Sequence, residues 1–490
     1  MMAQFTGHDS DVIAAVSTPH GIGAVGIVRL SGERVLDVFN RIFRSAGRGA
    51  KLTGPSGDTA EGNAAAPAAL PRKGTGWESH RMYYGQIICA GEVIDEVMAC
   101  CMLAPRSYTR EDTVEIYAHG GNATLYGVLN AALENGARLA LPGEFTKRAF
   151  LNGRINLTQA EAVMDLIGAA TGAARRAGLR QLGGGLGRRV AAGRDKLLMW
   201  LAHIELSIDY PEHEEETMNR EAILREGESW LAGMEALLKT AEVGRVLRDG
   251  IKTAILGRPN VGKSTLLNAV LGEDRAIVHE IPGTTRDVLT ERVQLGDVVL
   301  QLADTAGIRE TDDPIETIGV EKTYQAAQDA ELVIYVMDRS KPPVDADIEI
   351  LRGLREGGAG HIIVVLNKCD LPPAEGWENW QTDKPIHKIS AQNRDGLGGL
   401  YESIRRKFLH GQLSGAEAEP DIITRERHKE LLQSAIACVR RAMEDLRAGV
   451  AEDLVSIGLR EAYTALGEIL GLEVSDDIVD RIFSEFCVGK

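Results

Sequence analysis

The run Gly257-Arg-Pro-Asn-Val-Gly-Lys-Ser264 constrains this chain more than any other feature. It matches GxxxxGK[ST], it follows the apolar run Thr253–Leu256, and it opens a segment of helical character. Such a loop works only at a turn from strand to helix, so it demands a layered α/β domain. Its glycines let backbone N–H groups wrap around phosphates, and the helix N-terminus adds its positive dipole end. Asn260, Val261, Gly262, Lys263, Ser264 and Thr265 are the expected phosphate-side contacts. Lys263 is expected to reach the β- and γ-phosphates and Ser264 to ligate Mg2+.

Two further motifs follow in the order and spacing that a guanine-nucleotide hydrolase needs. Asp304-Thr-Ala-Gly307 ends one apolar run, which sets Asp304 on the magnesium side and Gly307 at the γ-phosphate, with Thr305 and Ala306 between. Asn367-Lys-Cys-Asp370 ends another. The Asp370 carboxylate there can accept both N–H donors on the guanine edge, a pair that adenine does not present. Asn367 and Lys368 complete that loop, and Ser390-Ala391 suits a backbone contact to the base. GTP is therefore the expected nucleotide. The residue after Gly307 is Ile308, where small signalling GTPases carry a glutamine that orients water. Isoleucine cannot do this, which leaves the nearby carboxylates Glu310, Asp312, Asp313 and Glu316 as substitutes.

A chain of 490 residues exceeds one core, and a prior of about 150 residues per domain suggests three. Residues 250–409 alternate strands such as Val298–Leu302, Leu332–Met337 and Ile362–Leu366 with helical segments, which predicts a parallel sheet covered on both faces. Residues 154–249 and 410–490 are helical in pattern, so the simplest arrangement is one helical domain split by the α/β insertion. Thr158 with Glu161 reads as a capping box ahead of Ala160, Met164 and Ile167. Residues 1–153 mix β-rich runs (Val25–Leu30, Gly85–Cys89, Val114–Tyr117) with glycine turns, which predicts an α+β domain. Within it, Ser45–Gly76 is rich in Gly, Ala and Pro and reads as a solvated insertion, as does the acidic turn Asp209–Glu216 later on. Gly21-Ile-Gly-Ala-Val-Gly26 fits GxGxxG but leads into Ile27-Val-Arg-Leu, a strand-like run, so no dinucleotide site is read from it.

No stretch approaches the about 20 apolar residues of a membrane span, and the first ten residues lack a signal-peptide pattern. Six cysteines without a CxxC pair read as reduced thiols of a cytoplasmic protein. A net charge of −16 argues against a stand-alone nucleic-acid binder. The apolar Ile482, Phe483 and Phe486 could dock the chain end.

Several blocks carry a resemblance to the MnmE (TrmE) family of tRNA uridine-5-carboxymethylaminomethyl modification GTPases. They are Thr18–Gly32 with Gly26-Ile-Val-Arg29, Tyr108–Gly121, and Pro142-Gly-Glu-Phe-Thr-Lys-Arg-Ala-Phe-Leu-Asn152. To these are added the nucleotide motifs, Ile281-Pro-Gly-Thr-Thr-Arg-Asp287 and the terminal Phe486-Cys-Val-Gly-Lys490. The resemblance implies a multidomain chain: an α+β N-terminal folate-binding and dimerising domain, a discontinuous all-α helical domain, and an inserted α/β P-loop GTPase domain. It implies a homodimer that works with the FAD-dependent MnmG (GidA) in a heterotetramer or larger complex. That complex adds a carboxymethylaminomethyl or aminomethyl group to C5 of the wobble uridine of tRNA. The carbon would come from 5,10-methylene- or 5-formyl-tetrahydrofolate and the amine from glycine or ammonium.

By the same resemblance, K+ replaces an arginine finger, with Asn260, His279, Ile281 and Thr284 as its ligands in a loop that also holds Glu280, Pro282 and Gly283. Thr285 would join Ser264 on Mg2+, Glu316 would be the catalytic carboxylate acting through water, and Arg309 would set the switch, alongside Lys263 and Asp304. Folate would meet Arg29, Glu115, Arg154 and Lys490, and Cys487 would serve the modification chemistry. Arg154 stands where the family often has lysine, and His279 where it has a small polar residue. A ribosome-assembly GTPase would attach a basic RNA-binding module, which this acidic chain does not display. A nucleotide-gated scaffold would have no use for folate.

Overall fold

The computed structural model describes residues 11–19, 21–45, 76–209, 220–271, 291–302, 327–378, 380–409 and 421–490. The interiors of the 45–76 insertion and of the acidic 209–216 turn lie outside them. The chain divides into two compact units, Met1–Glu161 with Gly471–Lys490, and Ala162–Leu470.

The first unit is built on a seven-stranded sheet. Its strands are β1 (Val12–Val16), β2 (Val25–Ser31), β3 (Phe43–Ser45), β4 (Arg81–Cys89), β5 (Glu92–Met102), β6 (Thr113–His119) and β7 (Ala137–Leu139). They lie in the order β3-β4-β5-β6-β2-β1-β7, antiparallel except where β1 meets β7. Alternation along β2 and β6 sends Val28, Leu30, Val114 and Ile116 into a core covered by α1 (Val35–Ile42) and α2 (Asn122–Glu134). β1 is buried along nearly its whole length, because Ile13 and Ala15 face a second cluster with Ala140 and Phe145. Phe145 belongs to α3 (Glu144–Leu151).

A charged network anchors α3. The buried Arg148 guanidinium meets Asp11 at 2.7 Å, Glu144 at 3.1 Å and Glu111 at 3.2 Å, and Arg138 bridges Glu144 and Asp11. Burial opposes the charges on Asp11 and Glu144, yet their arginine partners hold both carboxyls below the usual range. Lowered carboxyl pKa values add stability that is present above the unfolded value, about 4, and is lost as pH falls through the folded ones. Arg148→Met takes away the arginine that meets Glu111 and leaves Asp11 and Glu144 to Arg138 alone, and is expected to destabilise this unit by about 3 kcal/mol at neutral pH. Denaturant titration at pH 7 and at pH 4 checks this, with the penalty shrinking in acid.

In the second unit, α5 (Gly172–Leu182), α6 (Gly185–Asp209), α7 (Arg220–Leu238) and α8 (Ala241–Asp249) precede a six-stranded sheet. That sheet contains β8 (Ile251–Leu256), β9 (Glu291–Leu295), β10 (Val298–Leu302), β11 (Leu332–Asp338), β12 (His361–Asn367) and β13 (Ile386–Lys388) in the order β13-β12-β11-β8-β10-β9. All pairings are parallel except the β9–β10 hairpin. Every residue of β11 is buried, as a central strand covered on both faces requires. Its odd and even residues feed two cores, one with Ile334, Val336 and Leu267, the other with Val333, Tyr335 and Leu354. Among the described residues, the helices packed on its faces include α8, α9 (Lys263–Leu271), α10 (Asp345–Glu356) and α11 (Leu397–Leu409).

After the sheet, α12 (Glu426–Ala448) and α13 (Glu452–Leu470) share one core with α6 and α7, through Trp200, Trp230, Leu432, Val439, Leu459 and Leu466. Helices from both sides of the insertion thus form one bundle, the multidomain arrangement that the pattern predicts. The capping box sits two residues earlier than expected. α4 (Leu157–Ile167) starts behind Asn156, whose side chain accepts from Gln159 N–H (2.9 Å) while Gln159 Oε1 accepts from Asn156 N–H (3.0 Å). Thr158 and Glu161 are buried inside the helix instead. The last helix, α14 (Asp476–Ser484), belongs to the first unit, where Phe483 packs against Phe150.

Candidate functional site

The P-loop spans the turn between β8 and α9, at the carboxyl ends of the parallel strands where such sheets bind ligands. Gly262 has φ +96°, and a Cβ there would lie 2.3 Å from Asn367 Nδ2, so no other residue fits. Asn367 is 2% exposed and works as a strut. Its Nδ2 donates to Val261 O (3.0 Å), and its Oδ1 accepts from Ala391 N–H (2.9 Å). One side chain thereby links the P-loop, the Asn367–Asp370 loop and the Ser390–Ala391 loop. Lys263 Nζ donates to the carbonyls of Gly257 (2.8 Å) and Arg258 (2.9 Å), which keeps it folded over the P-loop. Burial pushes its pKa below the usual lysine value, and an arriving phosphate would favour the charged form and raise it again. Ser264 stands in the first turn of α9, and Thr265 beside it is exposed.

The base side is equally braced. Ser390 Oγ donates to Asp370 Oδ1 at 2.6 Å, Asn393 N–H donates to Ser390 Oγ at 3.2 Å, and Cys369 N–H donates to Ile389 O at 3.0 Å. Asp370 itself is exposed, and Cys369 packs with its thiol toward Leu366 O. The structure therefore brings together Asn260 through Thr265, Asn367, Lys368, Asp370, Ser390 and Ala391. His279, Glu280, Ile281, Pro282, Gly283, Thr284 and Thr285 lie outside the described residues, and so do Asp304, Thr305, Ala306, Gly307, Arg309 and Glu316. Asp338, at the end of β11, was not singled out from the sequence, yet it meets Lys368 Nζ at 2.7 Å. Its signal was faint: a single acid closing a run of six apolar residues.

In the first unit, the β2–β6 register sets Arg29 directly opposite Glu115. Their side chains are 17% and 16% exposed and form an ion pair at 2.8 Å. Tyr117 donates to Glu115 Oε2 at 2.7 Å; burial and this bond together push its phenol up to about 12. The Arg29 guanidinium lies over the rings of Tyr108 (5.5 Å) and Phe145 (5.7 Å), and Arg154 lies over Tyr108 at 4.8 Å. Arg154 also lines an open cleft of about 550 Å³ with Arg106, Arg110, His80 and Tyr108.

The chain end closes the same cluster. Gly489 O accepts from Ser17 Oγ (3.0 Å) and Arg29 Nη1 (3.4 Å), Lys490 O accepts from Phe145 N–H (3.1 Å), and Cys487 O accepts from Gly143 N–H (3.3 Å). Phe483 and Phe486 are buried beneath it, and Cys487 is exposed. Arg29, Glu115, Arg154 and the tail are thus gathered by structure from four distant parts of the sequence. Tyr108 and Tyr117 were missed, although Tyr117 shares its face with Glu115 by the two-residue period of a strand.

A cleft lined by Arg106, Arg110, Arg154 and Tyr108 and a braced P-loop occupy separate units of one chain. Two family models match it: "GTP-binding protein TrmE N-terminus" over residues 12–154 and "MnmE helical domain" over residues 157–487. Relatives named tRNA modification GTPase MnmE match nearly end to end. The protein of Geobacillus kaustophilus is 43% identical over 486 residues, covering 98% of this chain and 99% of the relative. That of Finegoldia magna is 42% identical over 482 residues, covering 98% and 100%. That of Acetivibrio thermocellus is 41% identical over 488 residues, covering 99% and 100%.

Proposed function

The chain belongs to the MnmE family of tRNA modification GTPases, and from that premise we propose that it is a K+-dependent GTP hydrolase acting with FAD-dependent MnmG on tRNA. Its homodimer, joined to MnmG in a heterotetramer or larger cytoplasmic complex, installs a carboxymethylaminomethyl or aminomethyl group at C5 of the wobble uridine. The carbon comes from 5,10-methylene- or 5-formyl-tetrahydrofolate, held by Arg29, Glu115, Arg154 and Lys490, with Cys487 serving the same chemistry. Among the described residues no helix is long and apolar enough to cross a membrane.

The observation that carries this reading is the three-way tie at Asn367, which fixes the phosphate and base loops relative to each other. A guanine nucleotide bridging them would find both ends preset, so less ordering is needed on binding. Lys263 holds the β- and γ-phosphates, and Ser264 with Thr285 holds Mg2+. For K+, Asn260 suits the part: it sits exposed on the P-loop at φ +63°, with its carbonyl already taken by Lys368. His279, Ile281 and Thr284 complete that set. The cation supplies positive charge where negative charge builds on the transferring phosphoryl group, the part an arginine finger plays elsewhere. Glu316 orients the attacking water in place of the glutamine that Ile308 replaces, Arg309 helps set the switch, and Asp304 serves on the magnesium side.

The test is GTP hydrolysis by the full chain in KCl and NaCl at equal ionic strength, with Glu316→Ala alongside. At least about tenfold stimulation by K+, lost in the variant, is expected from a cation that stabilises the transition state. Equal rates in the two salts would overturn the potassium mechanism, and an unimpaired Glu316→Ala would remove that residue from catalysis.

A further inference from the structure

The Asp338 carboxylate at the end of β11 is almost completely buried, its side chain 4% exposed. Its Oδ2 accepts from Lys368 Nζ at 2.7 Å, and its Oδ1 accepts from Ser340 Oγ (2.6 Å) and Ser340 N–H (2.9 Å). Burial opposes the charge, and these partners nonetheless keep the carboxyl ionised below the usual aspartate range. The same Lys368 ammonium donates to Asn260 O in the P-loop at 2.9 Å. Asn260 and Lys368 both have left-handed backbones, φ +63° and +61°, a conformation that non-glycine residues keep only when held. The next residue, Arg339, donates its N–H to Asn367 O at 3.0 Å, so the end of β11 grips the guanine-motif loop twice.

We infer that Asp338 is a positioning residue for nucleotide retention: it aims the Lys368 ammonium at the Asn260 carbonyl and thereby couples the guanine-binding loop to the P-loop. A lysine head rides on a flexible four-carbon stem and is strongly hydrated. Without a buried anion to fix it, the ammonium swings to water and the Asn260 carbonyl loses its donor. The phosphate-wrapping backbone then relaxes although no phosphate contact has been removed.

The experiment is stopped-flow release of a fluorescent N-methylanthraniloyl-GDP from the full chain, chased with excess GDP. It compares the parent, Asp338→Asn, Lys368→Ala and the double variant. Loss of one charge-assisted bond predicts release about tenfold faster in Asp338→Asn. Because Asp338 acts through Lys368, the double variant should release no faster than Lys368→Ala, within about twofold. A purely architectural aspartate would lower the melting temperature and multiply with Lys368→Ala instead. Release within about twofold of the parent, or multiplicative effects, overturns the inference. Should Asp338→Asn not fold, Ser340→Ala loosens the same carboxylate from a surface turn. It is expected to speed release about threefold in the parent and not at all beside Lys368→Ala, and equal acceleration in both backgrounds would overturn the inference.

Discussion

Asp370→Asn is expected to lower kcat/KM for GTP by about 10²- to 10⁴-fold and to turn the preference toward xanthosine triphosphate. A carboxylate can accept from guanine N1–H and from the exocyclic amine together. An asparagine in its place offers one acceptor and points a donor at a donor. Xanthine carries a carbonyl where guanine carries the amine, so the same substitution that repels guanine supplies a donor for xanthine. The surrounding loop should survive, because asparagine can still accept the Ser390 hydroxyl that now lies 2.6 Å from Asp370 Oδ1. Cys369 N–H also keeps its bond to Ile389 O. Hydrolysis of GTP, inosine triphosphate and xanthosine triphosphate by the parent and the variant separates the possibilities. A gain for xanthosine triphosphate fixes Asp370 on the base edge. Equal loss for all three nucleotides would mean a collapsed loop, and an unchanged GTP rate would exclude the residue from recognition.

The nucleotide half was legible because its signals are local. β11 and β12 are unbroken apolar runs, as buried parallel strands must be, and each motif sits within a few residues of a strand end. The brace formed by Asn367 was not legible as such: the motif names the residue, but only folding shows both ends of its amide engaged. Asp338 escaped notice for a related reason. A lone acid after an apolar run gives no hint that a lysine thirty residues later will meet it. In the first unit the loss of legibility was larger. Arg29 and Glu115 face each other through strand register, and nothing in the spacing of an antiparallel sheet with long connections predicts that register. Their joint role came from resemblance alone. The final helix has the same amphipathic pattern as the bundle helices before it, so periodicity grouped it with them. Its partners, Phe150 and the α3 entry at Gly143, lie more than three hundred residues upstream.

Gly489→Val is expected to weaken tetrahydrofolate binding by about 100-fold while GTP turnover stays within about twofold of the parent. Gly489 has φ +93°, and a Cβ there would lie 2.4 Å from Val16 O and 3.0 Å from Ser17 Cα. A β-branched side chain can neither adopt that backbone without strain nor fit that space. The Gly489 carbonyl would leave the point where Ser17 and Arg29 converge, freeing Lys490 and Cys487 from the cluster. Phe483 and Phe486 lie upstream and stay buried, so the fold of the first unit should survive. Gly489→Ala carries the same strain with less bulk and should fall between. Calorimetric titration with 5-formyl-tetrahydrofolate, run beside GTP hydrolysis in KCl, reads both activities on the same sample. Loss of folate binding alone would make the docked chain end part of the folate site, with Arg29 as its contact. Unchanged folate affinity would reduce the tail to a structural plug and move the proposed site toward Arg154 and the cleft beside Tyr108.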